Sequence, residues 1–236
     1  MEASSHVDSV QDALMSLIQS SPPTWGSSLL SNVLIFIVGS PILVTGLSLS
    51  GVAAAFLLGT LTWRAFGPSG FLLVATYFII GTAATKVKLA QKESQGVAEK
   101  RKGRRGPSSV IGSSVAGCVC AFLSISGVGG EACAQLWRLG FVASFCTKLN
   151  DTVSSEIGKA YGKTTYLVTN FKVVPRGTEG AVSVEGTFAG ILASMVLAFV
   201  SYLMGELNND AVNIINISMG SIIAVLMQQA LQNWHT

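Results

Sequence analysis

This chain is poor in charge. Asp, Glu, Lys and Arg together make up 11% of its 236 residues, against about 25% in an ordinary soluble domain. Histidine is nearly missing as well: His6 and His235 stand near the two ends, which argues against a His-based catalytic or metal centre. Four cysteines occur, Cys118, Cys120, Cys133 and Cys146, all within apolar runs. Cys118 and Cys120 form a C-x-C, but no second ligand pair completes a metal site, so all four read as small buried thiols. Residues 1–28 contain no Lys or Arg, whereas a transit peptide would be rich in Arg. If the protein is imported into an organelle, its targeting segment is expected to be missing from this chain. No aromatic platform or separate soluble domain accompanies the basic residues, which argues against a nucleic-acid partner.

What is there is hydrophobic: 50% of the residues, with a mean hydropathy of +0.55, gathered into runs of the roughly 20 residues that cross a bilayer. The expected fold is all-α, a polytopic helical transmembrane bundle of about seven spans, at 29–48, 50–66, 70–85, 110–126, 132–148, 184–204 and 212–231. A polar N-terminal segment, 1–28, precedes a membrane domain, 29–236. Val7, Val10, Leu14, Leu17 and Ile18 recur there at helical spacing until SSPP (20–23) stops the helix; without cations this amphipathic patch is a weak lipid anchor. Pro41 is expected to kink the first span. Gly112, Ala116 and Gly117 suit the fourth to close helix packing. GVGG (127–130) reads as a turn, since it lacks the Lys-Ser/Thr of a nucleotide loop.

The few charges are not scattered. Segment 86–105 holds eight Lys/Arg against two Glu, and segment 148–176 holds five more cations, together 13 of the 15 in the chain. Two spans separate the segments, so both are expected on one face, the cytoplasmic or stromal side by the positive-inside rule. Arg64, near a span end, and Arg138, within a span, are the exceptions.

The first basic segment reads as an orientation signal or a site for anionic lipid headgroups. Its tail, EKRKGRRG (99–106), reads alternatively as a phosphate clamp in which Arg104 and Arg105 present bidentate forks. The second segment is more specific. In NDTVSSEIGKAYGK (150–163), Asp151, Ser155, Gly158 and Gly162 fall at i, i+4, i+7 and i+11, one face of a helix. A carboxylate followed by bare backbone is a surface that a polyphosphate can approach, and Asp151 suits Mg²⁺, which combines carboxylate, water and phosphate oxygens. Glu156 points well round the helix and is the weaker partner. Lys163, Lys172 and Arg176 follow, then turns at Gly177 and Gly180. Ser183 is expected to cap the next helix, whose N-terminus favours anions, with Glu179 and Glu185 as further metal ligands or a base.

The spacing N-D-x-x-S-S-x-x-G-x-x-x-G, followed by S-x-E-G-T, resembles membrane polyprenol kinases such as the dolichol and phytol kinases. The closer likeness is to the phytyl-phosphate kinase family of plants and cyanobacteria, carried by ATKVKLAQKESQGVAEKRKGRRGPSSVIGSS (84–114) and KLNDTVSSEIGKAYGKTTYLVTNFKVVPRGTEGAVSVEGT (148–187). It runs from about Ile18 to Gly205 and resumes at Leu207. The resemblance implies transfer of a phosphoryl group from a nucleoside triphosphate, CTP foremost, to phytyl phosphate. The diphosphate product would serve tocopherol (vitamin E) synthesis at the chloroplast envelope, with membrane lipid around the protein and Mg²⁺ accompanying the nucleotide. It casts Asp151 as principal Mg²⁺ ligand with Glu156 and Glu185 assisting, and Arg104, Arg105, Gly158, Gly162, Lys163, Lys172, Arg176 and Ser183 around phosphates.

Two departures stand out. Dolichol-type kinases often carry a second acidic residue where this chain has Ser155. Relatives also continue past Gly205 with another hydrophobic segment before L-N-N-D, whereas here SYLMG (201–205) meets ELNND (206–210) directly, as an alternative splice or gene model would produce. Losing one crossing would place Asn208, Asn209 and Asp210 opposite the basic face and impair the site. The alternatives are a kinase for another polyprenol, a cytidylyltransferase, and a transporter that uses the intramembrane Arg138.

Overall fold

The computed structural model describes residues 22–99 and 101–205; the N-terminal amphipathic patch and the expected span 212–231 lie outside them. Helix α1 covers Trp25–Gly46, opened by a capping box in which Thr24 and Ser27 exchange side-chain and backbone hydrogen bonds. It runs unbroken through Pro41; the expected kink does not interrupt it. Helix α2, Leu49–Lys86, is capped by Ser48. A short α3 (Leu89–Ser94) and a 3₁₀ turn (Arg101–Gly103) lead to α4, Pro107–Ile125. Helix α5 spans Gly130–Tyr161. A two-stranded antiparallel ribbon, β1 (Tyr166–Leu167) with β2 (Ala181–Val182), then leads into α6, Val184–Leu203.

Four of these helices, α1, α2, α4 and α6, are long and apolar enough to cross a membrane among the described residues, not seven. The difference has physical causes. The expected spans 50–66 and 70–85 are the two halves of α2. The expected span 132–148 is the first half of α5, whose polar second half continues the same helix for 32 residues in all. The expected span 212–231 falls outside the described residues.

Helix α2 is a hairpin rather than a rod. Gly67 takes φ 69° and ψ −159°, a region essentially confined to glycine, and Pro68 adds a residue without an N–H. The rings of Trp63 and Phe71 consequently meet at 5.4 Å. Gly51 and Gly81 both abut Arg105, although a straight helix would hold them about 45 Å apart.

The buried centre is an aromatic ladder along α5. Phe66 packs at a tilt on Phe141 at 4.4 Å, and Phe145 meets Phe141 edge-on at 5.2 Å and Tyr77 edge-on at 5.4 Å. Large apolar side chains such as Ile37, Val38, Phe122, Leu192 and Phe199 point outward from α1, α4 and α6, as lipid-facing positions do. Gly127, Gly129 and Gly130 adopt positive φ at the α4–α5 connection, which confirms GVGG as a turn.

One end of the bundle collects the end of α1, both ends of α2, the start of α4, the end of α5 and the start of α6. The two basic segments meet there: Lys92 from the first pairs with Glu156 from the second, and Lys88 sits 3.9 Å from the centre of the Tyr161 ring.

Candidate functional site at the basic end of the bundle

The second half of α5 builds the site through its periodicity. Leu149, Val153, Glu156 and Ala160 form a buried stripe at i, i+4, i+7 and i+11. Asp151 stands off that stripe with its side chain 65% exposed. Glu156 therefore occupies a core position. It is 3% exposed and receives the wholly buried Lys92 ammonium at 2.5 Å. Lys92 also donates to the Thr85 carbonyl at 2.7 Å, and Lys159 donates to the other Glu156 oxygen at 3.2 Å. A buried carboxylate survives only if paired and hydrogen-bonded, and this one is. Both its oxygens are engaged by ammonium groups, so Glu156 joins α5 to α3, although it also borders the α4-side cavity that Asp151 lines.

Asp151 stands between two cavities that share it and Ser155. The first, about 630 Å³, lies toward α4 and is lined by Arg101, Arg104, Arg105 and Lys148, with Ser108, Ser109 and Thr152. It includes the open N-terminus of α4: Pro107 starts the helix, no side chain caps it, and the N–H groups of Ser108 and Ser109 have no intrahelical acceptor. The second cavity, about 470 Å³, lies toward the ribbon and is lined by Gly158, Lys159, Arg176, Glu179, Ser183 and Thr187, among others. Lys148 Nζ holds Asp151 at 2.5 Å.

The glycine face does a different task from the one its spacing suggests. A Cβ at Gly158 would lie 3.0 Å from Ser183 Oγ, and one at Gly162 would lie 2.8 Å from it. Across the same seam, Gly186 and Gly190 abut Ser154 and Asn150. These glycines let α5 and α6 approach closely, and Gly158 still borders the second cavity. Ser183 caps α6 as expected, accepting from Gly186 N–H at 3.1 Å. Arg176 donates to the Gly162 carbonyl, and Gly177 and Gly180 make positive-φ turns.

The remaining expected residues scatter. Lys163 and Lys172 are exposed and border neither cavity. Glu185 accepts from the Lys163 N–H at 3.3 Å and is likewise away from both. Among the described residues no three His, Cys, Asp or Glu side chains gather to hold a metal. Asp151 with neighbouring Ser155 and Thr152 hydroxyls instead suits Mg²⁺ bound through one carboxylate and substrate phosphates. Three features of the α4-side cavity were not singled out by spacing: Arg101, the Asp151 partner Lys148, and the Ser108–Ser109 helix start. A proline at the first helical position, in RRGPSS, was the available signal for the last of these.

Comparison with known proteins agrees with this architecture. The chain is 63% identical to "Protein VTE6, chloroplastic" of Arabidopsis thaliana over 268 residues, covering 98% of this chain and 80% of that protein. It is 51% identical over 156 residues to an uncharacterized membrane protein of Synechocystis sp., covering 66% of this chain and 59% of the relative. An uncharacterized membrane protein of Methanocaldococcus jannaschii is 27% identical over 209 residues, covering 75% of this chain and 84% of the relative. No solved structure matches. The model of the integral membrane protein family DUF92 matches residues 32–231, and the chain belongs to that family.

Proposed function

We propose that the protein is a membrane kinase that transfers a phosphoryl group from a nucleoside triphosphate, CTP foremost, to phytyl phosphate. The observation that carries this reading is Asp151, an open carboxylate between two cation-lined cavities. Transfer between two phosphate-bearing substrates needs two anion sites meeting at a metal-binding carboxylate. It needs positioning and charge neutralisation more than a covalent intermediate.

On this reading one anionic substrate occupies each side of Asp151. An oxygen of the acceptor phosphate attacks the γ-phosphorus, the new P–O–P bond forms, and the bond to the β-bridging oxygen breaks to release nucleoside diphosphate. The acceptor is already an anion, so no side chain need act as base. Mg²⁺, held through Asp151 and the substrate phosphates, would neutralise charge on the transferring group. Arg101, Arg104, Arg105 and the α4 N-terminus hold phosphate oxygens on one side, and Lys159 and Arg176 on the other. Lys148 directs the Asp151 carboxylate through their ion pair.

The likeness to a chloroplastic protein supports a chloroplast membrane location. Charge bias favours the stromal side for the basic end, and the sequence resemblance supports the envelope and tocopherol synthesis. The test uses the protein in liposomes with phytyl phosphate and γ-labelled CTP, ATP or GTP. Labelled phytyl diphosphate is expected; release of pyrophosphate with CMP left on the lipid would instead establish a cytidylyltransferase.

A further inference from the structure

A third cavity, about 220 Å³ and almost wholly apolar, opens between α1, the α2 hairpin and α4. Ile35, Phe36, Gly39, Phe71, Val74 and Phe78 are among its walls. Its upper end is built from Tyr77, Arg105 and Ser113, and those three residues also line the Arg-rich cavity beside Asp151. A hydrophobic groove thus runs directly into an anion site. Arg105 marks the junction. Its backbone is strapped to the α1–α2 corner, donating to the Gly46 carbonyl at 2.8 Å and accepting from Ser48 N–H at 3.0 Å. Its Nη1 reaches the Tyr77 hydroxyl at 3.3 Å, while its buried Nη2 has no hydrogen-bond partner. A buried guanidinium nitrogen without an acceptor is costly, and an anionic oxygen reaching the Arg105 guanidinium would satisfy it.

We infer that this groove holds the hydrocarbon chain of the isoprenyl monophosphate acceptor, with the acceptor phosphate at Arg105, which leaves the ribbon-side cavity to the nucleotide. The assignment rests on the kinase reading for its second substrate but not for the groove itself. Three features favour a single-chain monophosphate over a two-chain phospholipid. Cations gather at one end only, and Arg101 and Arg104 make no ion pair with a described residue. From Ile35 to Leu47 the groove follows α1 for about 18 Å, the reach of one extended chain of four isoprene units. Gly39 lies about 12 Å below the Leu47 end, and a Cβ there would meet nothing within 4 Å. A larger side chain at Gly39 therefore enters the groove without disturbing the fold.

The test has two arms on the protein in liposomes. In the first, a diazirine-bearing isoprenyl monophosphate is photo-crosslinked without nucleotide and the adducts are mapped by mass spectrometry. Adducts on α1, α2 and α4 near Ile35, Gly39 and Phe71, competed by phytyl monophosphate but not by phosphatidic acid, are expected. Adducts on the outer faces, or equal competition by phosphatidic acid, would overturn the inference. In the second, Gly39→Leu lowers the kcat/KM ratio of phytyl to geranyl monophosphate at least tenfold, with the nucleotide KM as an internal control. An unchanged ratio overturns the chain assignment. Groove adducts without diphosphate formation by the unaltered protein would sink the kinase reading and leave the groove standing; turnover with adducts elsewhere would do the reverse.

Discussion

Two carboxylates five residues apart on α5 have opposite fates, and helical phase separates them. Asp151 stands off the buried stripe and faces two cavities, while Glu156 lies on it beside Lys92. Asp151→Asn is expected to reduce kinase turnover by about a hundredfold or more, the scale of removing one preorganised electrostatic partner, while the thermal unfolding midpoint in detergent stays near its original value. Glu156→Gln is expected to act on stability instead, because it strands a buried ammonium; losing one partner of such a pair costs about 3–5 kcal/mol. The double substitution Lys92→Met with Glu156→Leu should recover most of that loss. Equal unfolding midpoints for the single and double variants would refute the pairing role. Asp151 was legible from its spacing alone. The role of Glu156 was not, since its partner comes from 64 residues away, though the stripe Leu149, Val153, Ala160 pointed to burial.

Among the elements, hydrophobic runs marked where helices lie but not how they join. The two runs of α2 were legible as separate spans, and the turn at Gly67 makes them halves of one hairpin with both ends at the Arg105 corner. Gly67→Ala should cost about 1–3 kcal/mol from backbone strain alone, measured by chemical unfolding in mixed micelles. Helix α5 shows the converse: an apolar run that read as a span and a polar motif that read as a helical face beyond it are one continuous helix, because nothing between Cys146 and Asp151 breaks it. The glycine spacing of that motif was visible, but its use was not. Gly186 meets the Ser154 carbonyl and lies against Gly158, so Gly186→Val should destabilise the α5–α6 seam by about 1–3 kcal/mol through overpacking. Ser183→Ala is expected to cost about 1 kcal/mol as a lost cap, and thermal unfolding of the two variants would rank them.

At the scale of the whole molecule, the charge bias predicts a topology that the structure makes specific. With the four native thiols replaced by Ala, Ser94→Cys and Thr178→Cys should label from the same side of sealed vesicles, and Gly127→Cys from the other. Labelling of Ser94→Cys and Gly127→Cys from one side would refute the arrangement. The alignment with the Arabidopsis relative runs over 268 residues, more than the 236 of this chain, so that relative carries residues with no counterpart here. Their number leaves room for one membrane crossing of roughly 20 residues. Inserting them between Gly205 and Glu206 is expected to raise turnover in the liposome assay, and unchanged turnover would show that the chain is complete for catalysis without them.

The sequence alone determined that this is a helical membrane protein, that its cations gather at one end, and that Asp151 shares one helix face with Ser155, Gly158 and Gly162. Those properties follow from composition and local period, which need no partner. Tertiary structure alone decided that Glu156 is buried against Lys92, that the glycines serve a helix seam, and that Arg105 stands where an apolar groove meets the Arg-lined cavity. Each of these depends on segments far apart in the chain arriving at the same place, and spacing within one helix carries no information about what packs against it.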